Sequence, residues 1–247
     1  MFVKICGVTR LDDALLAAGL GADAVGLNFW SGSSRRIGVE AARDIVRRLP
    51  PEVLSVGIFR NERPARVVEI ANKVGLRAVQ LHGDESPEET RWVGERVQAV
   101  IRAFGIGDPL LVSGADFGPH RLLVDSPMGG SGQTFDWDLV DARVAGREYI
   151  LAGGLDPDNV ALAIESLGPW GVDVASGVES APGRKDPAKV RRFLAAARSA
   201  VPRAPLPVPS PDTDRALDQA LDSVFDQQPA AQQAGTRRPF DWEEDTR

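Results

Sequence analysis

The sequence has little that would connect it to an oxidising compartment, a membrane or a nucleic acid. Cys6 is the only cysteine among 247 residues, so the chain cannot form an internal disulfide. No apolar run approaches the roughly 20 residues of a membrane-spanning helix, and the N-terminus lacks the charged and apolar regions of a signal peptide. A net charge of −6 argues against a nucleic-acid binder. We therefore expect a cytoplasmic protein without membrane or nucleic-acid partners.

The composition of the chain changes near residue 202. Before that point, short apolar segments alternate with helical patterns. After it comes "PRAPLPVPSPDTD", which contains too much proline for a helix or a central strand. The segment "RALDQALDSVF" could form a short docking helix, and the residues after it have a disordered composition. We predict a catalytic domain over residues 1–201 and a proline-rich, acidic, mostly disordered tail over residues 202–247.

Eight brief apolar segments are predicted to be strands. They are "FVKIC", "AVGLNF", "LSVGIF", "AVQLH", "AVIRAF", "LLVD", "YILAG" and "VDVAS". Such runs are typical of parallel strands covered by helices. The stretch "GIGDPLLVSGADFGPHR" before the sixth strand is rich in glycine and predicts a short or irregular helix, whereas Thr9–Asp12 resembles a capping box. Eight strands in about 200 residues favour an α/β fold of the (β/α)8 TIM-barrel type over an open doubly wound sheet.

The active site of such a barrel lies at the C-terminal ends of its strands. Cys6 ends the first predicted strand and Asp125 ends the sixth. A thiol in an electropositive environment can act as a base, although a lone cysteine is more often a small buried hydrophobe. Asp125 could cap a helix instead. If they are on facing strands, the two residues would form an acid–base pair across the barrel mouth.

Two glycine loops follow the strands that commonly hold phosphate in these barrels. Gly153 and Gly154 follow the seventh strand, and Ser176 and Gly177 follow the eighth. Glycine lets backbone N–H groups approach an anion. The alternative is that strand–helix turns simply favour glycine. We prefer a phosphate site because the glycines occur at both of the expected strands.

Three further side chains could complete the site. Arg35, in a loop with Arg36, could hold a carboxylate, or could be a solvated loop charge. His82 at the end of the fourth strand could line the site or be a satisfied strand-end histidine. Lys4 has the same strand parity as Cys6 and should point into the barrel, where a buried cation needs a partner. We expect that partner to be Asp173 on the eighth strand.

Several motifs together resemble the phosphoribosylanthranilate isomerase family over about residues 2–197. They are "KICGVT", "GADAVGLNF", "SSRRI", "VGIF", "VQLHGDE", "LLVDS", "GGSGQTFDW", "LAGGLDPDNV", "VDVASGVE" and "PGRKD". The resemblance implies a cofactor-free and metal-free Amadori rearrangement in tryptophan biosynthesis, which converts N-(5-phosphoribosyl)anthranilate to 1-(2-carboxyphenylamino)-1-deoxyribulose 5-phosphate. The expected partner is thus a phosphorylated small molecule, and the chain is expected to be a monomer or homodimer.

The resemblance also implies residue roles. Cys6 would be the general base that removes the proton from C2 of the sugar, and Asp125 the general acid that protonates the furanose ring oxygen. Arg35 would face the anthranilate carboxylate. The "GGSG" segment, with Gly130 and Gly132, would add backbone contacts to the phosphate loops after the seventh and eighth strands.

Two other interpretations remain open. One is the sister sugar isomerase of histidine biosynthesis, or a barrel that serves both pathways. Those relatives, however, have an aspartate where this chain has Cys6. The other is a catalytically idle barrel that binds a phosphorylated ligand and signals through its tail. The chain departs from the family pattern in a short loop after Asp125, in a truncated fifth helix and in the tail itself.

Overall fold

The computed structural model of the chain describes residues 1–111, 113, 115–118, 120–125, 144 and 147–202. Gly130 and Gly132 lie outside these residues. So does the tail after residue 202, with the segment predicted to form a docking helix. The predictions made for those parts therefore stay predictions.

Eight parallel strands form a closed barrel in which each strand pairs with the next in the chain and β8 pairs with β1. The strands are β1 (Phe2–Ile5), β2 (Ala24–Asn28), β3 (Leu54–Phe59), β4 (Ala78–Leu81), β5 (Val100–Gly105), β6 (Arg121–Asp125), β7 (Tyr149–Ala152) and β8 (Gly171–Val174). All eight predicted strands are present. The predicted α/β TIM barrel is confirmed.

Helices connect the strands on the outside of the barrel. They are α1 (Leu11–Gly19), α2 (Val39–Val46), α3 (Pro64–Val74), α4 (Pro87–Gly94), α5 (Val160–Leu167) and α6 (Pro187–Ser199). Between β5 and β6, the described residues contain a single 3-10 turn at Pro109–Leu111, in agreement with the predicted short or irregular helix. A two-stranded hairpin, β9 (Glu179–Ala181) with β10 (Arg184–Lys185), follows β8. None of the described helices is long and apolar enough to cross a membrane.

Local signals account for several helix ends. Ser86 and Glu89 form a reciprocal capping box at the start of α4, and Gly75 ends α3 in the left-handed conformation. The predicted capping box at Thr9–Asp12 is wrong. The Thr9 hydroxyl instead donates to the Gly183 carbonyl oxygen at 2.6 Å. This hydrogen bond joins the β1–α1 loop to the β9–β10 turn, although Thr9 and Gly183 are 174 positions apart in the chain.

The inside of the barrel is apolar at its base and polar towards the C-terminal ends of the strands. The apolar part is a buried cluster of Ala24, Val56, Ala78, Ile101, Ala103, Leu123, Ile150 and Ala152. Lys4, Gln80 and Asp173 are buried polar residues that contact one another above this cluster. Lys4 Nζ lies 2.7 Å from Asp173 Oδ2, so the predicted pair is confirmed. A charged layer therefore lies directly beneath the mouth.

Candidate active site

The two predicted acid–base residues are both buried at the C-terminal mouth of the barrel. Cys6 follows β1 and Asp125 is the last residue of β6, and their exposed fractions are 4% and 5%. In the closed eight-stranded barrel, β6 is separated from β1 by β7 and β8, so the two strand ends lie on different sides of one mouth. A substrate in the mouth would thus lie between a thiol and a carboxyl group.

A glycine in β2 makes room for the thiol. A β-carbon added at Gly26 would lie 2.8 Å from Cys6 Sγ and 3.0 Å from Ile58 Cδ1. Any larger residue at this position would displace the sulfur or the core behind it. Gly26 stands inside an apolar strand, where glycine often marks a close approach of another group. The sequence alone shows this glycine but not the thiol that it faces.

Lys4 stays charged although it is fully buried. Burial lowers the pKa of its ammonium group, but the charge of Asp173 and the hydrogen bond to it are the main effects that outweigh burial and raise the pKa above its usual value. The ammonium group donates to Asp173 Oδ2 at 2.7 Å and to Gln80 Oε1 at 3.0 Å. Lys4 is therefore a fixed positive charge beneath Cys6.

Cys6 has the electropositive neighbours that a basic thiol needs, but other effects on its pKa are larger. Burial raises the pKa of the thiol, and the nearby Asp173 carboxylate raises it further. Lys4 and Lys185 lower it by their charges, and Lys4 also does so by a hydrogen bond, without offsetting the rise. In the free protein Cys6 is a thiol with a pKa above its ordinary value.

The structure separates the two loop arginines. Arg35 has an exposed fraction of 3%, whereas Arg36 is exposed. Gly7 has a φ of +68°, and a β-carbon added there would lie 2.4 Å from Arg35 Cδ. The stem of Arg35 thus crosses the residue that follows Cys6. For Arg35, the alternative of a solvated loop charge is wrong.

Glu179 holds Arg35 in place. Arg35 Nε donates to Glu179 Oε1 and Arg35 Nη2 to Glu179 Oε2, both at 2.9 Å. Lys185 Nζ also donates to Glu179 Oε1 at 2.9 Å and to the Ala175 carbonyl oxygen at 2.9 Å. Burial raises the pKa of Glu179, but its hydrogen bonds and the two cations outweigh this and lower it. Glu179 belongs to the motif "ASGVE", and its role is visible only in the structure.

The two predicted phosphate loops contact each other through their backbones. Gly153 and Gly154 follow β7 with φ values of 92° and 54°. Ser176 and Gly177 belong to a 3-10 turn directly after β8. A β-carbon added at Gly177 would lie 2.0 Å from the Leu155 carbonyl oxygen. Only glycine therefore fits at position 177, and the backbones of both loops reach the same part of the rim.

His82 links the end of β4 to the carboxyl group on β6. Its Nε2 lies 3.3 Å from Asp125 Oδ2, and its Nδ1 lies 3.1 Å from Gln80 Nε2. Gln80, which stands two residues before His82 on the same face of the strand, was not among the predicted site residues. His82 thus lines the mouth and contacts the predicted general acid.

Arg102 braces the turn that carries His82. It is fully buried and donates to the carbonyl oxygens of Leu81, Gly83 and Glu85 at 2.8 to 3.0 Å. Its Nη1 also lies 3.3 Å from Glu85 Oε2. The backbone around position 82 is thereby held by a side chain of the neighbouring strand. Among the described residues, no group of three or more His, Cys, Asp or Glu side chains could hold a metal ion.

A family model described as "N-(5'phosphoribosyl)anthranilate (PRA) isomerase" matches residues 3–196. The chain belongs to this family. It is therefore an isomerase of tryptophan biosynthesis that carries out an aldose–ketose Amadori rearrangement.

Similar proteins agree with this membership along nearly their whole length. The N-(5'-phosphoribosyl)anthranilate isomerase of Rubrobacter xylanophilus is 47% identical over 203 residues, which are 80% of this chain and 98% of the relative. A solved family member in complex with reduced 1-(o-carboxyphenylamino)-1-deoxyribulose 5-phosphate is 41% identical, with a TM-score of 0.71 and coverage of 80% and 98%. Monomers derived from the dimeric Thermotoga maritima isomerase show 40% identity, a TM-score of 0.71 and the same coverage.

Proposed function

We propose that Cys6 is the general base and Asp125 the general acid of the isomerisation. The observation that supports these roles is the placement of the two buried groups across one barrel mouth. Asp125 would give a proton to the furanose ring oxygen as the C1–O bond breaks, which leaves an iminium between C1 and the anthranilate nitrogen. The Cys6 thiolate would then take the proton from C2, and the resulting enolamine would rearrange to the ketose.

Arg35 is proposed to recognise the carboxylate of the anthranilate ring. It lies against the residue after Cys6, so it stands beside the proposed base. Arg35 and Lys185 both donate to Glu179, and the two-point contact of Arg35 fixes the orientation of its guanidinium group at the rim. A guanidinium group in a fixed orientation is suited to hold a carboxylate.

The phosphate is proposed to bind to the loops after β7 and β8. Gly153, Gly154, Ser176 and Gly177 lie at the barrel position where phosphate is commonly bound. The close approach of Gly177 to the Leu155 carbonyl brings the two loops together. The ligand of the solved relative carries a 5-phosphate, and we propose that the substrate of this chain is bound by the same group. Gly130 and Gly132 remain predicted contributors.

We propose a cytoplasmic enzyme with a self-sufficient barrel over residues 1–201, as a monomer or homodimer. The family model ends at residue 196, which supports a domain boundary soon after α6. A chain that ends at residue 202 should keep the full turnover number. Loss of activity in this shortened chain would show that the tail is needed for catalysis.

Size-exclusion chromatography with light scattering would decide whether the chain is a monomer or a homodimer.

The direct test generates phosphoribosylanthranilate in the cuvette and follows the loss of its fluorescence. The native chain should consume it, and Cys6→Ala and Asp125→Asn should each reduce kcat by roughly 10²- to 10⁴-fold. Asp116→Asn, which changes an exposed aspartate, is the matched control and should keep native turnover. Native-like rates in Cys6→Ala or Asp125→Asn would refute the assigned role. If the native chain were inactive, the histidine-pathway substrate would be assayed next.

A further inference from the structure

We propose that Gln80 is a positioning residue, which holds the His82 ring with its proton on Nε2, facing Asp125. The effect on catalysis rests on the proposed function, in which Asp125 is the general acid. The arrangement itself follows from the contacts of Lys4, Gln80 and His82. These contacts run from Asp173 on β8 through β1 and β4 to Asp125 on β6.

The orientation of the Gln80 amide follows from Lys4. An ammonium group only donates hydrogen bonds, so the atom of Gln80 that lies 3.0 Å from Lys4 Nζ must be the carbonyl oxygen. Lys4 cannot turn away, because it is fully buried and paired with Asp173 at 2.7 Å. The amide NH₂ group of Gln80 must then face the opposite direction, towards His82.

The protonation of the His82 ring follows from Gln80. The amide nitrogen lies 3.1 Å from His82 Nδ1, and since it can only donate, Nδ1 must accept and carries no proton. The ring proton is therefore on Nε2, which lies 3.3 Å from Asp125 Oδ2. A proton on Nδ1 would point at an N–H group and would break the Gln80 contact.

In this arrangement the two oxygens of the Asp125 carboxyl group have different surroundings, because only Oδ2 faces His82 Nε2. An N–H group directed at Oδ2 favours the form in which Oδ2 is an acceptor. The proton that is given to the substrate would then reside on Oδ1. The charge of Lys4 also lowers the pKa of Cys6, so the same cation acts on the proposed base and sets the orientation of Gln80 behind the proposed acid.

A purely structural role for Gln80 makes a different prediction. If Gln80 only satisfied the Lys4 ammonium, any acceptor at this position would serve as well. Gln80→Glu provides such an acceptor with nearly the same shape. It would, however, present a carboxylate oxygen to His82 Nδ1 and draw a proton onto that nitrogen. The variant therefore separates the positioning role from the structural one.

The test is nitrogen-15 NMR of the full chain labelled at histidine. The chain has two histidines, His82 and His120, and His120→Asn assigns their signals. We expect His82 in the native chain to carry its proton on Nε2 and to show an unprotonated Nδ1. In Gln80→Glu, Nδ1 should be protonated. The proposal is overturned if the native ring carries a proton on Nδ1, or if Gln80→Glu leaves the ring signals unchanged.

Turnover of the same variants supplies the second readout. Gln80→Glu should lower kcat roughly 10- to 100-fold, the scale of a misplaced catalytic group, and should change KM little. Gln98→Glu, at an exposed position, is the matched control and should behave like the native chain. If Gln80→Glu does not fold, Gln80→Met removes the donor to Nδ1, and a mixture of both ring forms is expected. A single unprotonated Nδ1 in Gln80→Met would count against the proposal.

Failure of the Gln80 proposal can be distinguished from failure of the proposed acid role of Asp125. The NMR signals report the ring proton of His82 whether or not Asp125 is the acid. If Asp125→Asn kept native turnover while the ring behaved as expected, the acid assignment would fall and the positioning of His82 would stand. An unchanged kcat in Gln80→Glu together with an inactive Asp125→Asn would overturn the catalytic consequence proposed for Gln80.

Discussion

Arg35 and Glu179 form a two-point ion pair, with Nε–Oε1 and Nη2–Oε2 distances of 2.9 Å, between residues 144 positions apart. The pair joins the loop after β2 to the hairpin after β8, and both side chains are buried. A planar guanidinium held at two points has a fixed orientation. This pair therefore determines how Arg35 is presented at the mouth.

Glu179→Gln is expected to weaken substrate binding. The substitution removes the charge that fixes Arg35 and leaves Lys185 without its carboxylate partner. KM should rise roughly tenfold, which corresponds to about 1.4 kcal/mol, and kcat should change less. Steady-state kinetics measure both values, with exposed Glu165→Gln as the control. An unchanged KM would show that Arg35 does not need Glu179 to bind substrate.

Gly26→Ala is expected to reduce kcat. The added methyl group would lie 2.8 Å from Cys6 Sγ, so the thiol must move or the core must shift, at a cost of about 1–3 kcal/mol. Gly19→Ala is the matched control, because it adds the same methyl group at the end of α1 with no atom within 4 Å. The control should keep full activity and gain up to about 1 kcal/mol in the free energy of unfolding. Native kcat in Gly26→Ala would contradict the close fit.

The rate of the isomerisation should rise with pH on the alkaline side. Burial raises the pKa of Cys6, and only the thiolate can accept the C2 proton. Increasing pH therefore increases the active fraction until the raised pKa is passed. The profile of kcat/KM against pH measures this, and the ultraviolet absorbance of the single thiolate gives an independent titration. Full thiolate at neutral pH in the free enzyme would contradict the expected direction.

Lys4→Met should strongly destabilise the barrel. It leaves Asp173 as a buried carboxylate without its cation, which typically costs about 3–5 kcal/mol. Urea unfolding measures the loss, and Lys73→Met, which breaks an exposed ion pair with Glu40, should cost at most about 1 kcal/mol. Adding Asp173→Leu to Lys4→Met should restore much of the stability. No recovery in the double variant would show that the pair is needed for more than charge balance.

Some of the site was predictable because it depends on position along a strand. Cys6 and Asp125 end apolar runs, and parallel strands of a barrel bring such ends to one face. Lys4 and Asp173 were matched by strand parity and by the closure of β8 onto β1. The roles of Gly26, Glu179 and Gln80 were missed, since each depends on which side chain of another strand or loop it contacts. The capping box at Thr9 was wrong for the same reason.

The sequence by itself determined the order of eight strands and their helices, because apolar runs, glycine stops and proline starts act over a few residues. It also determined the family, through motifs spread along the barrel. Only the tertiary structure decided that Arg35 is buried against Glu179 while Arg36 is exposed, and that His82 reaches Asp125. These contacts form when the barrel closes, and no pattern in the sequence around Arg35 or His82 identifies the partner of either side chain.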